Sequence, residues 1–169
     1  MRKKKDLVFG GRMNGPFQSQ KGGEAIAKFT KDELFPTTKK IRELAISVSQ
    51  FKSDFFESFL RFKLNALEKS FKNTSIHLLS TYHKWSTPDE LFKNADIDPN
   101  KPEEFGPVMQ DYFNSQQAIM QHFNEAFRLS SYIDGTLTGQ RTASYNRTSI
   151  GLSILAITIS IILTIIFKK

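Results

Sequence analysis

Few residues in this chain have the types and spacing that covalent chemistry needs. None of its 169 residues is cysteine, which removes a thiolate nucleophile, a thiolate metal site and any disulfide framework. No Gly-Lys-Ser or Gly-Lys-Thr occurs to close a phosphate-cradling loop, and there is neither a Gly-x-Ser-x-Gly elbow nor a His-Glu-x-x-His pair. The three histidines are His77, His83 and His122. A step of six residues turns His83 about 120° from His77 on a helix, and His122 stands far along the chain, so no zinc site is expected. Asp96-Ile97-Asp98-Pro99-Asn100 imitates the opening of a calcium loop, but the central Gly is missing and Pro107 stands where the closing Glu should be. The expectation is a protein without metal or cofactor.

One constellation remains. Lys72-Asn73-Thr74-Ser75-Ile76-His77 resembles a degenerate form of the R-N-x-x-x-H motif of the all-helical nuclease family named for higher eukaryotes and prokaryotes nucleotide-binding. The resemblance implies Lys72 and His77 as counterparts of the Arg and His that act on an RNA phosphodiester, with Asn73 positioning them. Lys in place of Arg gives up the planar fork that suits a phosphate. The alternative for the same residues is a solvated break between helices with a His on the domain surface. A small helical domain carrying such a motif beside one membrane helix is similar to the family of membrane accessory proteins encoded next to RNA-guided, RNA-cleaving type VI CRISPR effectors. That resemblance implies an oligomeric inner-membrane pore and a setting in antiviral defence, with enzymatic activity less expected than its absence.

The element that would place such a domain is the stretch 148–167, TSIGLSILAITISIILTIIF, twenty residues without a charge, followed by Lys168 and Lys169. At about 1.5 Å per residue it spans the roughly 30 Å of a bilayer's hydrocarbon core, and it predicts a transmembrane helix. Arg147, Lys168 and Lys169 flank it as basic residues. Ser149, Ser153, Ala156, Ser160 and Thr164 recur at steps of 4, 3, 4 and 4, so they fall within about 80° of one another on the helix. Small and hydroxyl side chains so placed favour close helix association and, around a ring, a weakly polar lumen. The alternative is that the hydroxyls bond their own backbone four residues back.

Charge and punctuation divide the rest. Residues 1–42 carry a net +7, residues 43–140 a net −4 and residues 141–169 a net +4, a basic arm beside a mildly acidic domain. The arm suits anionic lipid headgroups, with nucleic acid as the less favoured partner. Residues 10–23 hold five Gly and Pro16, so 1–36 reads as a basic Gly-bearing arm ending in a short helix closed by Phe35 and Pro36. From 37 to 86 there is neither Gly nor Pro. Ile41, Leu44, Val48, Phe51, Phe55, Phe59 and Phe62 recur at helical spacing, predicting an amphipathic helix with one aromatic face and a break at Asn73-Thr74-Ser75. Thr87-Pro88-Asp89-Glu90 starts a further short helix. The region 96–107 reads as a loop, and Pro107 opens a helix closed by Gly135 as C-cap. A bundle domain at 37–135 then joins the span through 136–147, a juxtamembrane linker or a helix continuous with the span.

The expected architecture is all-α: a cytoplasmic helical bundle with a single C-terminal transmembrane helix. MRKKKDLVFGG lacks the apolar core of a signal peptide, so the expected topology is tail-anchored, in the inner membrane if the source is bacterial. The expected function is a non-enzymatic membrane effector that forms homo-oligomers and perturbs or permeabilises the bilayer. The alternatives are a tail-anchored tether docking a soluble protein through its Phe-rich helix, and a membrane-bound ribonuclease.

Overall fold

The computed structural model describes residues 17–93, 97–98 and 100–167, and the described residues form helices without a strand. Lys168, Lys169, Asp96 and the first 16 residues of the basic arm lie outside the described residues. The helices are α1 (Gln20–Phe29), a π turn (Thr30–Leu34), α2 (Phe35–Gln50), α3 (Phe55–Leu60), α4 (Phe62–Ser86), α5 (Pro88–Lys93) and α6 (Pro102–Phe167). They divide into two compact units, and α2, α4 and α6 each contribute to both. Among the described residues, the first unit holds 17–43 and 73–130, and the second holds 44–72 and 131–167.

In the first unit, the short helix expected at the end of the Gly-bearing arm is present and starts earlier, at Gln20, taking in Gly22 and Gly23. Ser19 caps α1 by accepting from the Gly22 N–H, and the backbone N–H groups of Gln18 and Ser19 donate to the two carboxylate oxygens of buried Asp111 at 2.7 and 2.8 Å. Gly22 is there for space. A Cβ at that position would lie 3.2 Å from the Cα of Val108, so a larger residue would push α1 and α6 apart by a few tenths of an ångström at this crossing. Nor do Phe35 and Pro36 end the helix. The Phe35 N–H reaches back five residues to the Thr30 carbonyl, and this wide turn just before Pro36 accommodates a ring that would collide with the carbonyl four back in a regular α-helix.

The core of this unit is aromatic. Trp85 stacks between Phe29 and Tyr112 at centroid distances of 5.3 and 4.6 Å, and Tyr82 meets Phe123 and Phe127 edge-on. The Tyr112 hydroxyl donates to the Trp85 carbonyl at 2.9 Å, and burial pushes its pKa above the ordinary tyrosine value, so it stays a donor. On the surface Arg42 forks onto Glu125, and that hydrogen-bonded guanidinium holds the Glu125 carboxyl below the usual range.

The second unit departs most from the sequence reading. The expected break at residues 73–75, where the first unit's part of α4 starts, is absent, since α4 runs through it; the chain breaks instead within the second unit, at 51–54 and again at Arg61. Asp54 caps α3 by accepting from the Glu57 N–H at 2.7 Å. The Glu57 side chain then accepts from the Leu64 N–H at 2.9 Å, capping the start of α4. Asp54-x-x-Glu57 has the spacing of a capping box, and this was the signal available in the sequence. Arg61 joins the two helices in the left-handed region at φ 54°. The predicted aromatic face is therefore not continuous: Val48 is buried in the second unit, whereas Phe59 and Phe62 are exposed.

Helix α6 begins at Pro102, not at Pro107, with Glu103 and Glu104 in its first turn where the helix dipole favours carboxylates. It continues without interruption through Gly135, Gly139 and 136–147 to Phe167. Gly135 is thus no C-cap, and 136–147 is the helical alternative rather than a linker. Ile133, Leu137 and Ser144 are buried in the second unit, and this packing outweighs the roughly 1 kcal/mol that each Gly costs a helix interior. A Cβ at Gly135 or Gly139 meets nothing within 4 Å. Gly135→Ala and Gly139→Ala are therefore each expected to stabilise the protein by about 0.8 kcal/mol, read as a raised urea midpoint in detergent micelles. A lowered midpoint would contradict the uninterrupted helix.

Candidate functional site

Among the described residues, α6 is the one helix long and apolar enough to cross a membrane, and its most apolar stretch is wholly exposed. Ile150, Leu152, Ile154, Leu155, Ile157, Ile159, Ile161 and Ile162 all face outward. A core helix of a soluble domain would bury such side chains at about 25 cal/mol per Å²; here the only available apolar environment is external to the chain described.

The small-residue stripe lies along this stretch. The Ser153 hydroxyl donates to the Ser149 carbonyl at 2.9 Å and the Thr164 hydroxyl to the Ser160 carbonyl at 2.8 Å, as Thr158 does to Ile154. Each of these hydroxyls donates its proton within its own helix, which lowers the cost of placing it in lipid and leaves its lone pairs free to accept across a helix contact. Ala156 shares the stripe by its position in the sequence.

The turn by which the helix enters this stretch is gripped by other residues of the second unit. Buried Ser144 donates to the Ser58 carbonyl at 2.6 Å, and Thr148 donates to the same carbonyl at 3.0 Å. Arg147, expected only as a flanking charge, donates to the Ser53 carbonyl at 2.7 Å. The Arg61 guanidinium lies 3.6 Å over the Tyr145 ring, a cation–π contact that offsets the buried Arg61 Nε, which lacks a hydrogen-bond partner. One turn below, Arg141 pairs with Glu68, and that bond raises the arginine's pKa further. Sequence reasoning missed Ser53, Ser58, Arg61 and Tyr145, because every one of these contacts joins residues more than 70 apart.

Lys72, Asn73 and His77 sit within α4, all exposed. Five residues of helix turn Lys72 and His77 about 140° apart, whereas Asn73 and His77 share a face. The geometry of this helix alone does not converge the Lys and His on one phosphate. Elsewhere in the first unit, an open groove of about 330 Å³ is lined by Gln18, Ser19, Lys21, Ile97, Glu103, Glu104, Pro107 and Val108. Its carboxylates have the dipole role given above, no histidine lines it, and its Ser19 hydroxyl is engaged as the cap of α1. Among the described residues no group of three His, Asp or Glu is placed to hold a metal ion. Comparison with known protein families, with curated proteins and with solved structures finds no match for this chain.

Proposed function

We propose that this chain is a non-enzymatic, single-span membrane effector: its helical units stand on the cytoplasmic side, and residues 148–167 associate between copies and perturb the bilayer's barrier. The observation that carries the reading is the exposed apolar end of α6, continuous with the helix of the folded units and bearing one small, hydroxyl-lined stripe. Packing between membrane helices relies on close approach and on hydrogen bonds across the contact, and this stripe supplies both. The resemblance carried by Lys72, Asn73 and His77 leads to the same class of membrane effector and to a defence setting.

The test is dye release from liposomes holding the full chain, together with its mass in detergent. The wild type is expected to be oligomeric and to release dye. Ser153→Leu with Ser160→Leu is expected to reduce release at least tenfold without loss of membrane insertion, and His77→Ala is expected to leave release unchanged. A monomer in detergent whose double-Leu variant behaves as wild type would overturn the effector reading. An RNA-cleaving activity abolished by His77→Ala would replace it with the ribonuclease.

A further inference from the structure

The short helix α3 has a polar side that is used and an apolar side that faces outward. Phe56, Phe59 and Leu60 fall within an arc of about 100° on the helix, and Ser58 lies on the opposite side. Ser58 is buried and its carbonyl accepts from Ser144 and Thr148, while Phe56, Phe59, Leu60 and the following Phe62 are 74, 57, 49 and 71 % exposed. Four large apolar side chains in seven residues form a patch of the kind that marks an interaction surface.

Its position says which one. The carbonyl that fixes α3 is bonded by Thr148, the first residue of the uncharged stretch. No residue of α3 lies more than about 5 Å along its axis from Ser58. The patch is thus held beside the point where α6 enters the bilayer, if 148–167 spans it. Arg147 ties the preceding loop to α6 through Ser53, and Arg61 over Tyr145 ties the following corner. Exposed Lys52 and Lys63 bracket the patch, where cationic side chains can meet anionic headgroups while aromatic rings occupy the boundary below them.

We infer that α3 is an interfacial membrane element: Phe56, Phe59, Leu60 and Phe62 insert into the boundary between headgroups and acyl chains around the entry point of α6. The inference rests on the membrane-spanning reading of 148–167. It assigns the Phe-rich segment to lipid and not to a soluble partner, and it gives the span a collar that displaces lipid on one side.

The chain has no cysteine, so single labels can be placed cleanly. The full chain is reconstituted in vesicles of three parts phosphatidylcholine to one part phosphatidylglycerol, with an environment-sensitive fluorophore on Phe59→Cys, Ile157→Cys or Asp134→Cys. Asp134 is exposed and lies about 21 Å before Thr148 along the same helix. Quenching is read from lipids carrying a nitroxide near the headgroup or deep in the acyl chain. The label at 59 is expected to be quenched at least threefold more by the shallow nitroxide, the label at 157 more by the deep one, and the label at 134 by neither. Phe62→Cys repeats the measurement at a second site of the patch. Quenching at 157 with none at 59 and 62 overturns this inference and leaves the span intact. Absence of quenching at 157 overturns the span and the inference with it. Blue-shifted emission at 59 that neither nitroxide quenches shows a protein surface covering the patch, which also overturns it.

Discussion

Trp85→Ala is expected to destabilise the protein by about 4 kcal/mol. Trp85 is almost wholly buried, between Phe29 on α1 and Tyr112 on α6, and Tyr112 in turn meets Phe92 of α5 edge-on. Truncation leaves a cavity touching three helices at once. The hydrogen bond from Tyr112 goes to the Trp85 backbone carbonyl and survives the change, so the loss reports packing, offset in part by removal of the buried indole N–H, which has no hydrogen-bond partner. Trp85→Phe, which keeps one ring in the stack, is expected to cost about half as much. Urea unfolding of the full chain in detergent, followed by circular dichroism, reads both. A cost below about 1 kcal/mol for the alanine variant would mean that the stack does not hold the first unit together.

The second large effect is at Asp111. Its two carboxylate oxygens accept from the backbone N–H groups of Gln18 and Ser19, which precede α1, and the side chain is 1 % exposed. Asp111→Ala leaves two N–H groups with no acceptor and is expected to cost about 3 kcal/mol. Asp111→Asn offers only one oxygen and is expected to fall between that variant and wild type. The distinctive readout is local: amide hydrogen exchange at Gln18, Ser19 and Gly22 should speed up at least tenfold in Asp111→Ala before global stability is exhausted. Unchanged exchange at those amides would show that α1 is held by its apolar contacts alone.

These two residues illustrate what was legible beforehand. Trp85 stands in a series with Ile76, Leu79 and Tyr82 at steps of three in the sequence, yet Ile76 and Leu79 are exposed in the structure and Leu78 and Thr81 are buried instead. A shift of one residue in a helix moves the inward face by about 100°, and the apolar pattern of α4 is too even to exclude it. Asp111 carries no such signal. An acid on the apolar side of a helix reads as a surface residue until Ser19, 92 positions earlier, is brought against it.

Boundaries failed where local and tertiary preferences compete. Gly22, Pro36, Gly135 and Gly139 are ordinarily breaks, yet each lies within helical backbone. Gly22 suits the close approach of Val108 and Pro36 is admitted by a π turn, while the two glycines of α6 are carried by the buried neighbours Ile133, Leu137 and Ser144. The true breaks at 51–54 and Arg61 contain no Gly or Pro. The Asp54 side chain caps the helix that follows the first, the Glu57 side chain caps the helix that follows the second, and there Arg61 adopts a left-handed backbone in contact with Tyr145.

The sequence by itself determined the helical class, the start of α5 at Pro88, and the uncharged segment at 148–167, because these depend on composition and on periodicity within a single element. It also determined the spacing of Ser149, Ser153, Ala156, Ser160 and Thr164, which any helix must place on one side. Only the tertiary structure decided that α6 runs on through 136–147, that part of the glycine-bearing arm is packed, and that α3 sits at the threshold of the apolar segment with its phenylalanines outward. Those outcomes are set by hydrogen bonds and contacts between residues tens of positions apart, whose energies outweigh local propensities of about 1 kcal/mol.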